Sequence, residues 1–196
     1  YIYPSTSAEE LSRQLNWIQN IVDYAPQCVF LWNTENYLDL KYVPLDNPIK
    51  KLYSVAASFK PNMILNHFNF TEDSEVVFYD YSKPSLAFKK LLVTQWDGED
   101  YPAFITWALN KYNFSETGGI ETETQTRDDL WLREIEWWGS EQNIKNHWDK
   151  YKTLKHSYVH VDICESPEKL TNKITPEENS VIWWSNAFHT VNAQYV

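Results

Sequence analysis

Four apolar runs in this chain end on residues able to bind a ligand or do chemistry. They are Leu52–Ala57 leading into Ser58, Glu75–Asp80 leading into Tyr81, Ser157–Ile163 with Asp162 near its end, and Asn179–Ser185 leading into Asn186. A carboxylate at a strand end can accept both hydroxyls of a vicinal diol, which marks Asp80 and Asp162. The plainer role for Asp80 is to cap the following helix, since Asp is favoured at helix starts. His160-x-Asp162 with the distant His189 offers two imidazoles and a carboxylate, a set that can hold a divalent metal with open positions. Trp137-Trp138, near Trp131 and Trp148, could floor a sugar or aromatic site, although packing explains an aromatic stripe at helical spacing more simply. Carboxylate pairs at Asp128/Asp129 and Glu134/Glu136 read as a solvated helix face. The chain has no Gly-x-Ser-x-Gly elbow, no Walker loop and no Cys-x-x-Cys spacing.

The elements that must position these residues follow from periodicity and punctuation. Ser7 to Glu10 is a capping box, and Leu11, Leu15 and Ile18 recur behind it at helical spacing. Cys28–Trp32 is a short unbroken apolar run of strand type, followed by a turn at 33–36. The Leu52–Ala57 strand is followed by a loop at 58–61 and a helix over 62–70. A polar break at 71–74 precedes the Glu75–Asp80 strand. Ser82-Lys83-Pro84 then starts a helix, with proline in its permitted first turn. Strand, helix, strand, helix in this order is the pattern of a parallel sheet with right-handed crossovers. Residues 97–156 depart from it: a helix over 102–112, a flexible loop over 115–126, and one or two helices over 127–151 with a break near Gly139. This stretch is expected to be a helical insertion or cap within a single domain spanning 1–196. The alternation then resumes with a strand over 157–163, a short helix from Ser166-Pro167 through Ile174, and a strand over 179–185. The fold class is therefore α/β, with a mainly parallel sheet flanked by helices.

Composition narrows the partners. A net charge of −10 disfavours nucleic acid, because phosphate binding relies on lysine and arginine. The two cysteines, Cys28 and Cys164, do not make a disulfide framework and are expected as inert thiols in buried strands. Asn69-Phe70-Thr71 and Asn113-Phe114-Ser115 match the glycosylation pattern and are taken as chance. No apolar run approaches the roughly 20 residues needed to span a bilayer. A cytoplasmic protein with a small-molecule ligand and no membrane partner is expected. With 10 Trp and 13 Tyr against 4 Gly, large rings must be buried or line a groove.

On these residues, Leu52–Leu92 and Tyr158–His189 resemble the Rossmann-like S-adenosylmethionine-dependent methyltransferases. The resemblance implies that Ala57 and Ser58 stand at the first turn against the cofactor's methionine part. It implies that Asp80, with Tyr81 after it, binds the ribose, that Asp162 lies near the adenine, and that Ser185 and Asn186 face the transferred methyl group. Asp80 also lies at about the 20-residue distance past the first turn that such folds use. The family's first turn is glycine-rich, whereas Ala56, Ala57 and Ser58 stand here. Methyl transfer depends mostly on alignment, so no catalytic side chain is assigned. Two alternatives stand beside this reading. Val181-Ile182-Trp183-Trp184 leading into His189 resembles the distal-histidine strand of 2-oxoglutarate-dependent iron oxygenases, with His160, Asp162 and His189 as metal ligands. The missing glycines favour a catalytically silent Rossmann-like binding or structural module.

Overall fold

The computed structural model describes the chain except residues 1–6, 10–11, 14–15, 17–22, 33–34, 36, 46, 117–124, 175–178 and 186–196. In chain order the elements are β1 (Cys28–Val29), β2 (Ile49–Val55), α1 (Lys60–Phe68), β3 (Phe70–Asp80), α2 (Lys83–Gln95) and α3 (Tyr101–Tyr112). They continue with β4 (Ser115–Glu116), α4 (Arg127–Trp138), α5 (Glu141–Tyr151), β5 (Lys155–His160), α6 (Glu168–Thr171) and β6 (Ser180–Trp183).

Four strands form one sheet in the order β5-β3-β2-β6, and every pairing is parallel. Alternation along β2 and β3 explains why the sheet is covered on both faces. Leu52, Val76 and Phe78 point into a large core with Met63, Ile64 and Leu65 of α1 and Leu86, Phe88 and Leu92 of α2. Tyr53, Val77 and Tyr79 point the other way, into a smaller core with Val161 and with Leu170 of α6. The chain thus steps β2, β3, β5 in one direction and then places β6 on the far side of β2. This is a doubly wound, Rossmann-like α/β architecture, with its switch point between β2 and β6.

Several sequence expectations change at this level. Residues 71–74, read as a polar break, are the first part of β3. They form an irregularity in its register with β2, where Ile49 faces Phe70 and Lys51 already faces Glu75. Ser74 makes this possible: it is buried, its hydroxyl donates to Ile49 O at 2.7 Å, and it accepts from Thr71 N at 2.9 Å. The helix after β2, α1, begins at Lys60 rather than 62, and Phe70 belongs to β3. β5 stops at His160, so Cys164 lies in a half-buried turn rather than a strand; Cys28 is buried in β1 as expected. Ser115–Glu116, read as part of a loop, pairs in parallel with β1. The Ser7–Glu10 capping box lies partly outside the described residues. A second box that the sequence reading passed over, Thr126 with Asp129, opens α4.

Residues 97–156 contain α3, α4 and α5, with the break at Gly139 at a φ of 79°, the left-handed backbone glycine favours. Most of their aromatic stripe is packing, Trp137 alone of Trp131, Trp137, Trp138 and Trp148 staying 41% exposed. Tyr101, Trp131, Trp148 and Tyr151 are buried in the same core as Leu52 and Phe78.

Candidate functional site

Asp80 ends β3 and points into the protein. One carboxylate oxygen accepts from Ala56 N at 3.0 Å and the other from Ser82 N at 2.8 Å. The residue is only 5% exposed. Burial pushes its acidity up to about 7, and the Ser82 and Ala56 N–H groups and the Lys89 ammonium partly oppose that rise. Asp80 does not cap α2. Ser82 does, its hydroxyl accepting from Ser85 N at 3.1 Å.

Around Asp80 lies a buried polar network. Lys89, one face of α2, donates to Ser58 O and sits 5.5 Å from the Phe78 ring centre. Burial pushes its ammonium down to about 7, and Asp80 and Glu134 pull it back. Glu134, read as part of a solvated face, is buried because Tyr37 OH and Trp138 Nε1 donate to it at 2.5 and 3.1 Å; burial raises its pKa. Lys60 is buried too and reaches out to Asp39 at 2.7 Å.

The turn after β2 is filled by the chain itself. Phe30 bridges in parallel to Ala57, and Ser58 N donates to Phe30 O at 3.1 Å. Ser58 adopts a φ of 33°, in the region glycine favours, without being glycine. The first turn of α2 holds the same segment. Ser82 and Ser85 hydroxyls donate to Cys28 O at 2.5 and 3.1 Å, and Ser85 Oγ accepts from Phe30 N at 3.1 Å. Tyr81 packs its ring edge-on against Phe30, with centroids 5.8 Å apart.

The tip of β6 is also tied inward. Ser185 donates to the Glu35 carboxylate, and Trp183 Nε1 donates to its other oxygen at 3.1 Å. Tyr79 OH donates to Trp183 O at 2.9 Å. Glu35 is a residue the sequence reading placed only in a turn. Asn186 and His189 lie outside the described residues.

The structure therefore brings Ala57, Ser58, Asp80 and Tyr81 together, but around Phe30. Asp162 lies past the end of the edge strand β5, about 10 Å from the line of β2 but close enough to Tyr81 to act on its hydroxyl. Its carboxylate accepts from Cys164 N at 2.9 Å and shapes the turn after β5. His160 is exposed at the end of β5, with Nε2 3.0 Å from Tyr81 O. Among the described residues no group of three or more His, Cys, Asp or Glu could hold a metal ion. The sheet, open and parallel, is not the double-stranded β-helix on which the oxygenase reading depends.

Among the described residues an open surface depression of about 790 Å³ and a smaller cavity of about 350 Å³ lie elsewhere. The first is against Asp100, Thr106, Trp107 and Arg127, and the second lies between α1 and α5. Among the described residues no helix is long and apolar enough to cross a membrane. Comparison with protein-family models, with curated proteins and with solved structures finds no match.

Proposed function

We propose that this chain is a Rossmann-like binding or structural module in which the cofactor crevice has been given over to the chain's own backbone. The observation that carries this reading is the state of Asp80. Its two oxygens accept the N–H groups of Ala56 and Ser82, and burial shields it from a ribose. Phe30 supports the same reading, because it occupies the place beside Ala57 and Ser58 where a cofactor would approach.

A second reading is favoured by one specific observation, the strand order. It sets the tips of β2 and β6 on either side of a switch point, where open α/β sheets bind nucleotides. On that reading the domain would bind S-adenosylmethionine and transfer its methyl group to a small-molecule or protein acceptor. The acceptor would lose a proton, and S-adenosylhomocysteine would leave. β1 and Phe30 would first have to withdraw from the tip of β2.

Thermal unfolding with and without S-adenosylmethionine or S-adenosylhomocysteine separates the two, since a ligand that binds only the folded state raises Tm. The module reading expects no rise. A rise in the wild type that disappears in Asp80→Asn would replace it with the methyltransferase reading.

A further inference from the structure

At the opposite end of the strands, where β3 begins, α1 and α5 flank the half-open cavity of about 350 Å³. That volume falls within the range of small-ligand sites, roughly 300–1,000 Å³. Its polar lining is Asn66, Asn69, Asn143, Asn146, His147 and Lys150; the half-buried Phe70 supplies an aromatic wall, and Trp138, largely buried, adds little of its ring. Among the described residues no carboxylate lines it, although the chain carries a net charge of −10.

The hydrogen-bonding capacity left over in this lining is mixed. Asn143 spends its Nδ2 on Trp138 O at 2.8 Å and keeps its carbonyl oxygen. Asn146 spends its carbonyl oxygen on Gln142 Nε2 at 2.9 Å and keeps its NH₂. The side-chain amides of Asn66 and Asn69 bond to no described residue and keep both functions. His147 is the buried member, 7% exposed. Asn62 Nδ2 lies 3.4 Å from its Nε2; with Asn62 donating there, the neutral ring carries its proton on Nδ1. That Nδ1–H makes no hydrogen bond to any described residue. Burial, and secondarily the Lys150 charge, hold the ring neutral, with its pKa pushed down to about 3. The ring is fixed between Phe70, at 5.5 Å in an edge-on contact, and Tyr151, stacked at 5.7 Å.

We infer that this cavity binds a monosaccharide-sized carbohydrate. A phosphate group presents mostly acceptors, and amide carbonyls find few donors on it. A sugar hydroxyl both donates and accepts. Amides offering N–H and C=O together, a neutral imidazole and one accessible aromatic ring, Phe70, match a ring that bears hydroxyls on its edge and C–H groups on its faces. Lys150 at the rim admits a sugar carboxylate as well. This site shares no lining residue with the strand tips, so it stands or fails apart from the reading of Asp80.

The test is titration calorimetry of the full chain with glucose, galactose and glucuronate, and with inorganic phosphate and adenine as the other chemistries. The exposed Asn66→Ala and Asn146→Ala variants perturb the lining without touching the core; His147→Phe removes the buried donor while keeping a ring. Saturable binding of at least one of the three sugars is expected, weakened about five- to tenfold by each of the two asparagine variants. Millimolar sugar giving no saturable heat would overturn the inference. So would sugar binding indifferent to all three variants, or binding of phosphate or adenine alone.

Discussion

At Asp80 the protein keeps a carboxylate where water does not reach, and it does so by using that group as a backbone clamp between the first turn and α2. Replacing it with alanine strands the Ala56 and Ser82 N–H groups and removes one of the two negative charges, Asp80 and Glu134, that act on the buried Lys89. Asp80→Ala should therefore cost about 3 kcal/mol or more in urea unfolding, and Asp80→Asn, which keeps an acceptor, clearly less. A group that only awaited a ligand would give a near-neutral alanine variant. His156 makes a pH-dependent case. Burial holds it neutral, down to about 4 from an ordinary value of 6.5, with Nδ1 near Leu154 O at 2.8 Å and Nε2 without a partner among the described residues. A depressed histidine contributes stability that is complete above pH 6.5 and lost as pH falls toward 4, because only the unfolded chain takes up the proton in that window. Asp80, raised by burial, works in the opposite direction over much of the same range, so the variant must be compared with the wild type. His156→Phe should flatten the acid limb of the stability profile by about 1–2 kcal/mol, measured as unfolding free energy from pH 4 to pH 7. Asp80, Ser58 and Ser185 could be found as strand-end residues from hydrophobic patterning. Their partners could not, because Ala56 N–H and Phe30 O are backbone groups with no sequence signature. Glu35 reaches Ser185 across 150 residues of chain.

Among the elements, α2 does the most to close the strand tips. Its cap, Ser82, serves two ends: it accepts from Ser85 N and donates to Cys28 O. Ser82→Ala should cost about 2 kcal/mol, at the upper end of an ordinary cap, and should loosen β1 with it. Limited proteolysis would show this as earlier cleavage near residues 28–32; an unchanged cleavage pattern would mean that β1 is held by other contacts. Elements with a clean period were readable in advance. The β2–α1–β3–α2 succession was, because apolar runs and the Ser-Lys-Pro start announce it. The beginning of β3 was not, since Thr71-Glu72-Asp73-Ser74 is polar and only the Ser74 bond to Ile49 O shows how it joins the sheet. The end of β5 was misplaced because an apolar run says where a strand lies and not where its ladder stops. Glu134 was misread because helical spacing put it beside exposed carboxylates, whereas Tyr37, 97 residues away, takes it inside.

For the whole molecule, parallel strands ending on one side are the feature on which any nucleotide reading depends, and the sheet has it: β2, β3, β5 and β6 run the same way. What the sequence could not foresee is that Phe30, following β1, would pair alongside the tip of β2. A cofactor competing for that place must displace bonds from Ser58, Ser82 and Ser85. Native-state amide exchange reads this most directly. The amides of Ala56, Ser58 and Ser82 donate to Asp80 and Phe30, and they should exchange only through large-scale opening, at rates that S-adenosylmethionine leaves unchanged. Fast exchange at these three amides in the free protein, slowed when S-adenosylmethionine is added, would contradict the account.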